Sequence, residues 1–156
     1  MPPKDTALER ILNQAIHFEE DSCQFYTKAM PMVKRPHIKD VLQELANQEV
    51  KHKQRLQSLL EGNTEAIIAL PSQAKIEDLK LAEYLVAKPL DEQASFQDVL
   101  IVAMQREKSS HDFYATMAGI AEGAEAKQLF EFLAQEELTH KNKVESLYDE
   151  VLYKDF

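Results

Sequence analysis

Apolar positions recur along this chain in a 4-3-4-3 rhythm, and the rhythm appears four times. The first run is Leu8, Leu12, Ala15, Glu19, Ser22, Tyr26, Ala29, and the second is Ile38, Leu42, Leu45, Glu49, His52, Leu56, Leu59. The third is Phe96, Leu100, Ala103, Glu107, Ser110, Tyr114, Met117, and the fourth is Ala126, Phe130, Leu133, Glu137, His140, Val144, Leu147. Spacing of this kind puts one stripe of each helix against its partners, so the pattern predicts four amphipathic helices that pack as a bundle. Each stripe is interrupted in the middle by a Glu, and in the second and fourth the Glu is followed three residues later by a His.

Local signals set the ends. Thr6 with Glu9 reads as a capping box for the first helix, and Pro31 stops that helix because it lacks an N–H and clashes with the preceding turn. Pro36 suits the first turn of the second helix, which is expected to run to about Glu61 and stop at Gly62. Ser95 with Asp98 opens the third helix, which ends near Gly119. Gly123 closes a short link, and the fourth helix runs from about Ala124 into "LYDEVL". Residues 62–94 form the long connection, with a short helix expected in "IEDLKLAEYLV" and "AIIAL" read as a lid or packing strip. The expected fold is all-α: two tight helical hairpins joined by a crossover long enough to travel the length of the bundle, which is ferritin-like connectivity.

The chain also repeats itself with an offset of 88 residues, about 8–60 over 96–148, within a single expected domain spanning 1–156. "LNQAIHFEEDSCQFYTKAM" lies over "LIVAMQREKSSHDFYATMA", and "VLQELANQEVKHKQRLQSL" over "LFEFLAQEELTHKNKVESL", without a gap in either hairpin. Glu19 pairs with Glu107, Glu49 with Glu137, and His52 with His140. Glu19 precedes Met30 by 11 residues and Glu49 follows His37 by 12, so both lie at one level, roughly 17 Å from the hairpin turn. The second hairpin has the same relation, so six polar groups should meet in one buried layer. A lone Glu on such a stripe reads as a solvated charge at its edge; four in register do not. Four carboxylates in an apolar core repel and are costly to desolvate. Two divalent cations balance them, and Glu and His at i and i+3 project from the same face of a helix.

Composition narrows the partners. A net charge of −9 argues against nucleic acid and anionic membranes. "MPPKDTALER" has no signal-peptide core, and no apolar run reaches membrane-spanning length. The single cysteine, Cys23, excludes an intramolecular disulfide or a CxxC pair, and the simplest reading of compartment is cytoplasmic. Carboxylate-rich, thiolate-free donors suit iron or manganese better than structural zinc, although zinc would also fit.

At "EEDSCQFY", "REKSSHDFY", "LANQEVKH" and "LAQEELTH" the sequence resembles the rubrerythrin-like branch of the ferritin-like di-iron superfamily, over nearly the whole chain. The resemblance implies two iron ions held by Glu19, Glu49, His52, Glu107, Glu137 and His140, with Glu49 and Glu137 bridging. It implies a non-haem di-iron oxidoreductase that reduces hydrogen peroxide or dioxygen with an external electron donor such as a rubredoxin. The cellular role would be oxidative-stress defence or ferroxidation. Two departures stand out: the paired CxxC motifs of a rubredoxin-like domain are absent, and the position three residues after the third-helix Glu is Ser110 instead of a carboxylate. These keep open a non-catalytic iron-binding or metal-sensing bundle. A homodimer is the expected assembly.

Tyr26 and Tyr114 either hydrogen-bond ligand carboxylates or pack the bundle ends. Leu45, Leu56, Ala103 and Leu133 would limit water around the site. His17, His37 and His111 read as surface or boundary residues and Cys23 as partly buried packing. Glu20 and Glu136 adjoin expected ligands, but a helix turns them about 100° away, so they read as solvated charges.

Overall fold

The computed structural model describes residues 7–61, 80–85, 90, 93–121 and 123–154. Helices α1 (Ala7–Ala29), α2 (Pro36–Glu61), α3 (Phe96–Ile120) and α4 (Ala124–Lys154) dominate it, with short 3-10 turns at Met30–Met32 and Leu81–Leu85. No strand occurs among the described residues. α1 packs along α2 and α3 along α4, and these two hairpins lie against each other.

The boundaries follow from the residues that set them. α1 gives way to a 3-10 turn at Met30, one residue before Pro31, and α2 begins at Pro36. Ser95 caps α3 through the box read from the sequence. Asp98 N–H donates to Ser95 Oγ at 3.1 Å, and Ser95 N–H donates to Asp98 Oδ2 at 3.0 Å. Ser95→Ala should destabilise the protein by ~1 kcal/mol in urea unfolding, the usual cost of a lost cap; an unchanged midpoint would show that the box carries no stability. Thr6, Gly62, "AIIAL" and the side chain of Leu8 lie outside the described residues. Of the short crossover helix, the described part is the 3-10 turn Leu81–Leu85, which rests on α1 and α3.

Every seam residue with a described side chain is buried except Phe96, which is half-buried. The core is divided in two. One cluster joins Leu12, Leu56, Met117, Phe130 and Leu133 with Leu81 and Leu85 of the crossover. The other joins Leu42, Leu45, Leu100, Ala103, Val144 and Leu147. The first uses the early part of α1 and α4 with the late part of α2 and α3, and the second uses the reverse. The helices therefore alternate as the repeat requires, and the polar layer lies between two apolar blocks. Among the described residues no helix is long and apolar enough to cross a membrane.

Candidate metal centre

The layer contains the six residues that the seams single out. Glu19, Glu49, His52, Glu107, Glu137 and His140 are each at most 2% exposed. They come from all four helices and sit at matching heights, because each Glu falls mid-seam and each His follows one turn later on the same face.

The two hairpins contribute almost equivalent halves. His52 Nδ1 lies 2.7 Å from Glu137 Oε1 and 3.6 Å from Glu19 Oε2. Its repeat mate, His140 Nδ1, lies 3.0 Å from Glu49 Oε1 and 3.6 Å from Glu107 Oε2. The two imidazole rings stack with centroids 5.3 Å apart and planes 13° from parallel. These short N–O approaches are not aligned as hydrogen bonds. Glu19 Oε2, Glu49 Oε1, His52 Nδ1, Glu107 Oε2, Glu137 Oε1 and His140 Nδ1 are all buried without a hydrogen-bond partner. At least one donor atom from each of the six residues is thus left over, and His52 leaves both ring nitrogens. Ligand atoms from Glu49, His52, Glu137 and His140 all lie within 4.8 Å of one another. Orphaned buried polar atoms cost ~1–3 kcal/mol each, and this cluster of unpartnered carboxylate and imidazole atoms fits a metal site.

The outward oxygens of the two unpaired-helix carboxylates are held across the bundle. Tyr26 of α1 donates to Glu107 Oε1 of α3 at 2.6 Å, and Tyr114 of α3 donates to Glu19 Oε1 of α1 at 2.7 Å. The tyrosines therefore do more than pack: each fixes the carboxylate of the opposite hairpin and leaves its second oxygen aimed inward. Tyr114→Phe should strand Glu19 Oε1 and cost ~1–3 kcal/mol in chemical unfolding of the metal-free protein; identical unfolding curves would contradict that bond.

Proton distribution follows from burial. Glu49 and Glu107 are pushed well above the ordinary carboxylate range by desolvation first, and then by the charges of Glu107 and Glu137 at Glu49 and of Glu137 and Glu19 at Glu107. Glu19 is raised for the same reasons, desolvation first and Glu137 next. Burial would raise Glu137 too, but the adjacent His52 reverses this and holds it at about 2. Burial would lower His52, yet Glu137 and Glu19 beside it raise it to about 10. His140 is lowered, by burial and by a balance of neighbouring charges in which His52 opposes its protonation. Without metal, burial and mutual repulsion thus favour protons on Glu19, Glu49 and Glu107, while His52 and Glu137 favour their charged forms.

These features settle the affiliation when set beside known families. The family model described as Rubrerythrin matches residues 10–148, nearly the whole chain. The chain belongs to the rubrerythrin family. A solved structure, "Hypothetical Protein Pfu-1136390-001 From Pyrococcus furiosus", shares the fold at 23% identity with a TM-score of 0.71, covering 94% of this chain and 90% of that one. No match was found among curated proteins. In this rubrerythrin-family chain, the place three residues after Glu107 is taken by Ser110. Its hydroxyl donates to Glu137 Oε2 and lies 3.1 and 3.2 Å from the carbonyl oxygens of Arg106 and Glu107.

Three residues depart from the sequence reading or escaped it. Glu136, read as a solvated charge, is half-buried with Oε1 3.7 Å from His52 Nε2, because α4 lies close enough to α2 for a flanking side chain to reach the ring's outer edge. Arg106, beside Glu107, is buried between α1 and α3. Ser110 contacts Glu137 where only an absence had been noted. The repeat alignment holds a signal for Arg106, since it falls opposite Phe18. Glu20 does pair at the surface, with Lys53 at 2.6 Å, and His17 and His37 are exposed.

Proposed function

We propose that this protein is a non-haem di-iron oxidoreductase that reduces peroxide or dioxygen with electrons from an external donor such as a rubredoxin. The observation that carries the reading is the set of six orphaned donor atoms, one from each of four Glu and two His, inside a rubrerythrin-family bundle. Glu19, Glu49, His52, Glu107, Glu137 and His140 would hold the ions, Glu49 and Glu137 being the two that the family resemblance implies are shared. Two ferrous ions, when bound, supply the pair of electrons that peroxide needs.

The chain's own residues do the rest. Tyr26 and Tyr114 keep the terminal carboxylates from rotating away, as their hydroxyls are committed to the outer oxygens. Ser110 restrains Glu137 in the same manner. Leu45 and Ala103 on one side, and Leu56 and Leu133 on the other, are fully buried and keep bulk water from the layer. A dry site of this kind strengthens every electrostatic interaction within it and limits leakage of single electrons to solvent. Tyr26 and Tyr114 are both driven well above the ordinary phenol range, by desolvation first and by the carboxylate charges next, so they serve as donors and not as bases.

A rubredoxin-coupled peroxide assay on the iron-loaded full chain tests the reading. Turnover well above that of the same concentration of free iron is the expected result. No such turnover, with the ferrous ions still bound, would favour a non-catalytic iron-binding or sensing role, to which Ser110 in place of a carboxylate is suited.

A further inference from the structure

The pseudo-twofold symmetry of the centre is broken by charge at two positions beside it. At the offset of 88, Arg106 stands opposite Phe18 and Glu136 stands opposite Gln48. Arg106 is 8% exposed and packs on the rings of Phe18 and Phe25, at 4.5 and 5.4 Å from their centroids. Its Nη2 donates to Ser22 Oγ at 2.8 Å and to the Phe18 carbonyl at 3.4 Å, while its buried Nε has no partner. Among the described residues no carboxylate reaches it as an ion pair, and of the carboxylates that bear on it from farther away Asp21 comes before those of the layer. The carboxylates that feel it most within the layer are Glu49 and Glu107, which face His140.

The other half has an anion in the corresponding role. Glu136 Oε1 lies 3.7 Å from Nε2 of His52, the outward nitrogen of a ring whose Nδ1 faces the site. This is an approach of charges and not a hydrogen bond, since Nε2 has no hydrogen-bond partner, and the carboxylate's charge adds attraction for a cation on that side. Glu136 also bears on His140, but there Lys143, which pairs with Glu44 at 2.9 Å, acts against it, whereas Lys53 beside the other half is paired with Glu20 at 2.6 Å.

We infer that the two halves bind metal in a fixed order: the first ion enters among Glu19, Glu137 and His52, backed by Glu136, and the second binds more weakly among Glu49, Glu107 and His140, opposed by Arg106. This rests on the di-metal reading above. Repulsion between two cations would by itself separate the steps, so the order and its dependence on the two charges are what distinguish the inference.

An anaerobic Co²⁺ titration of the metal-free full chain, followed by calorimetry and visible absorption, tests it. The wild type should take up two ions with affinities at least about tenfold apart. Glu19→Ala should abolish the tight step and Glu107→Ala should retain it. Glu136→Gln should weaken the first step by about tenfold, and Arg106→Met should tighten the second by a similar factor, both with unchanged helical circular dichroism. If Glu107→Ala removed the tight step while Glu19→Ala kept it, or if neither charge variant moved either affinity, the inference would be overturned with the di-metal reading intact. Should Arg106→Met fail to fold, Glu136→Gln decides alone, at a half-exposed position: an unchanged first affinity overturns the order. A wild type that binds no cobalt overturns both.

Discussion

Glu49→Gln is expected to reduce bound metal from two ions per chain to one or none, and at the same time to raise the melting temperature of the metal-free protein. The two effects have one cause. Glu49 is buried in one layer with Glu19, Glu107 and Glu137, and desolvation with their charges drives its pKa well above 4.5. Its ionised form is what a metal requires and what the empty bundle resists. Glutamine keeps the volume and mimics the protonated acid, so it relieves repulsion without opening a cavity. Relief of ~1 kcal/mol would appear as a rise of about 2–4 °C in a chain of this size. Chelated and metal-loaded samples melted in parallel, with metal analysis of each, check both halves of the expectation. A variant that bound two ions as tightly as the wild type, or whose metal-free form melted lower, would contradict the placing of Glu49.

A larger pH effect follows from the same layer. Glu19, Glu49 and Glu107 hold protons more tightly when folded than when unfolded, since each is raised above 4.5. Their contribution to the stability of the metal-free protein is full below pH 4.5 and is lost as pH rises through the folded values. His52 acts in the same direction, contributing fully below 6.5 and losing that contribution as pH approaches its folded value of about 10. Glu137, held at about 2, contributes fully above 4.5 and loses that only in stronger acid. His140 is lowered and opposes the trend, as its contribution is present above 6.5 and lost on acidification. The metal-free protein should therefore become less stable between about pH 5 and 8. Metal needs the deprotonated ligands, so each displaced proton makes apparent affinity about tenfold stronger per pH unit. The gap between metal-loaded and metal-free melting temperatures should widen across that range. A gap that stayed constant or narrowed would mean that the layer is already ionised when empty.

Much of this was legible because helical periodicity is a strong constraint. The 4-3-4-3 seams placed Glu19, Glu49, Glu107 and Glu137 inward, and the structure finds all four buried. Ser95, Pro31 and Pro36 act locally, so the boundaries they set could be read without tertiary information. The ring-edge role of Glu136 could not, because a period assigns a face to a residue but not the reach of a side chain toward the next helix. Arg106 was hidden for a related reason. An arginine one step from the seam ordinarily extends to water, and only the facing Phe18, Ser22 and Phe25 of α1 give it a buried seat. The tyrosines were open to two readings, since the choice of the opposite hairpin's carboxylate depends on how the hairpins cross. The rubrerythrin family match supports the fold and the metal-binding character of the layer, while the chemistry rests on the proposal above.

Iron content after anaerobic ferrous loading and desalting tests the central claim most directly. The wild type should retain two iron ions per chain, and a variant with Glu49 and Glu137 both changed to Gln should retain none while keeping its helical circular dichroism. Retention of the same iron by both proteins, or of none by the wild type, would show that the buried layer of four Glu and two His is not a di-metal centre.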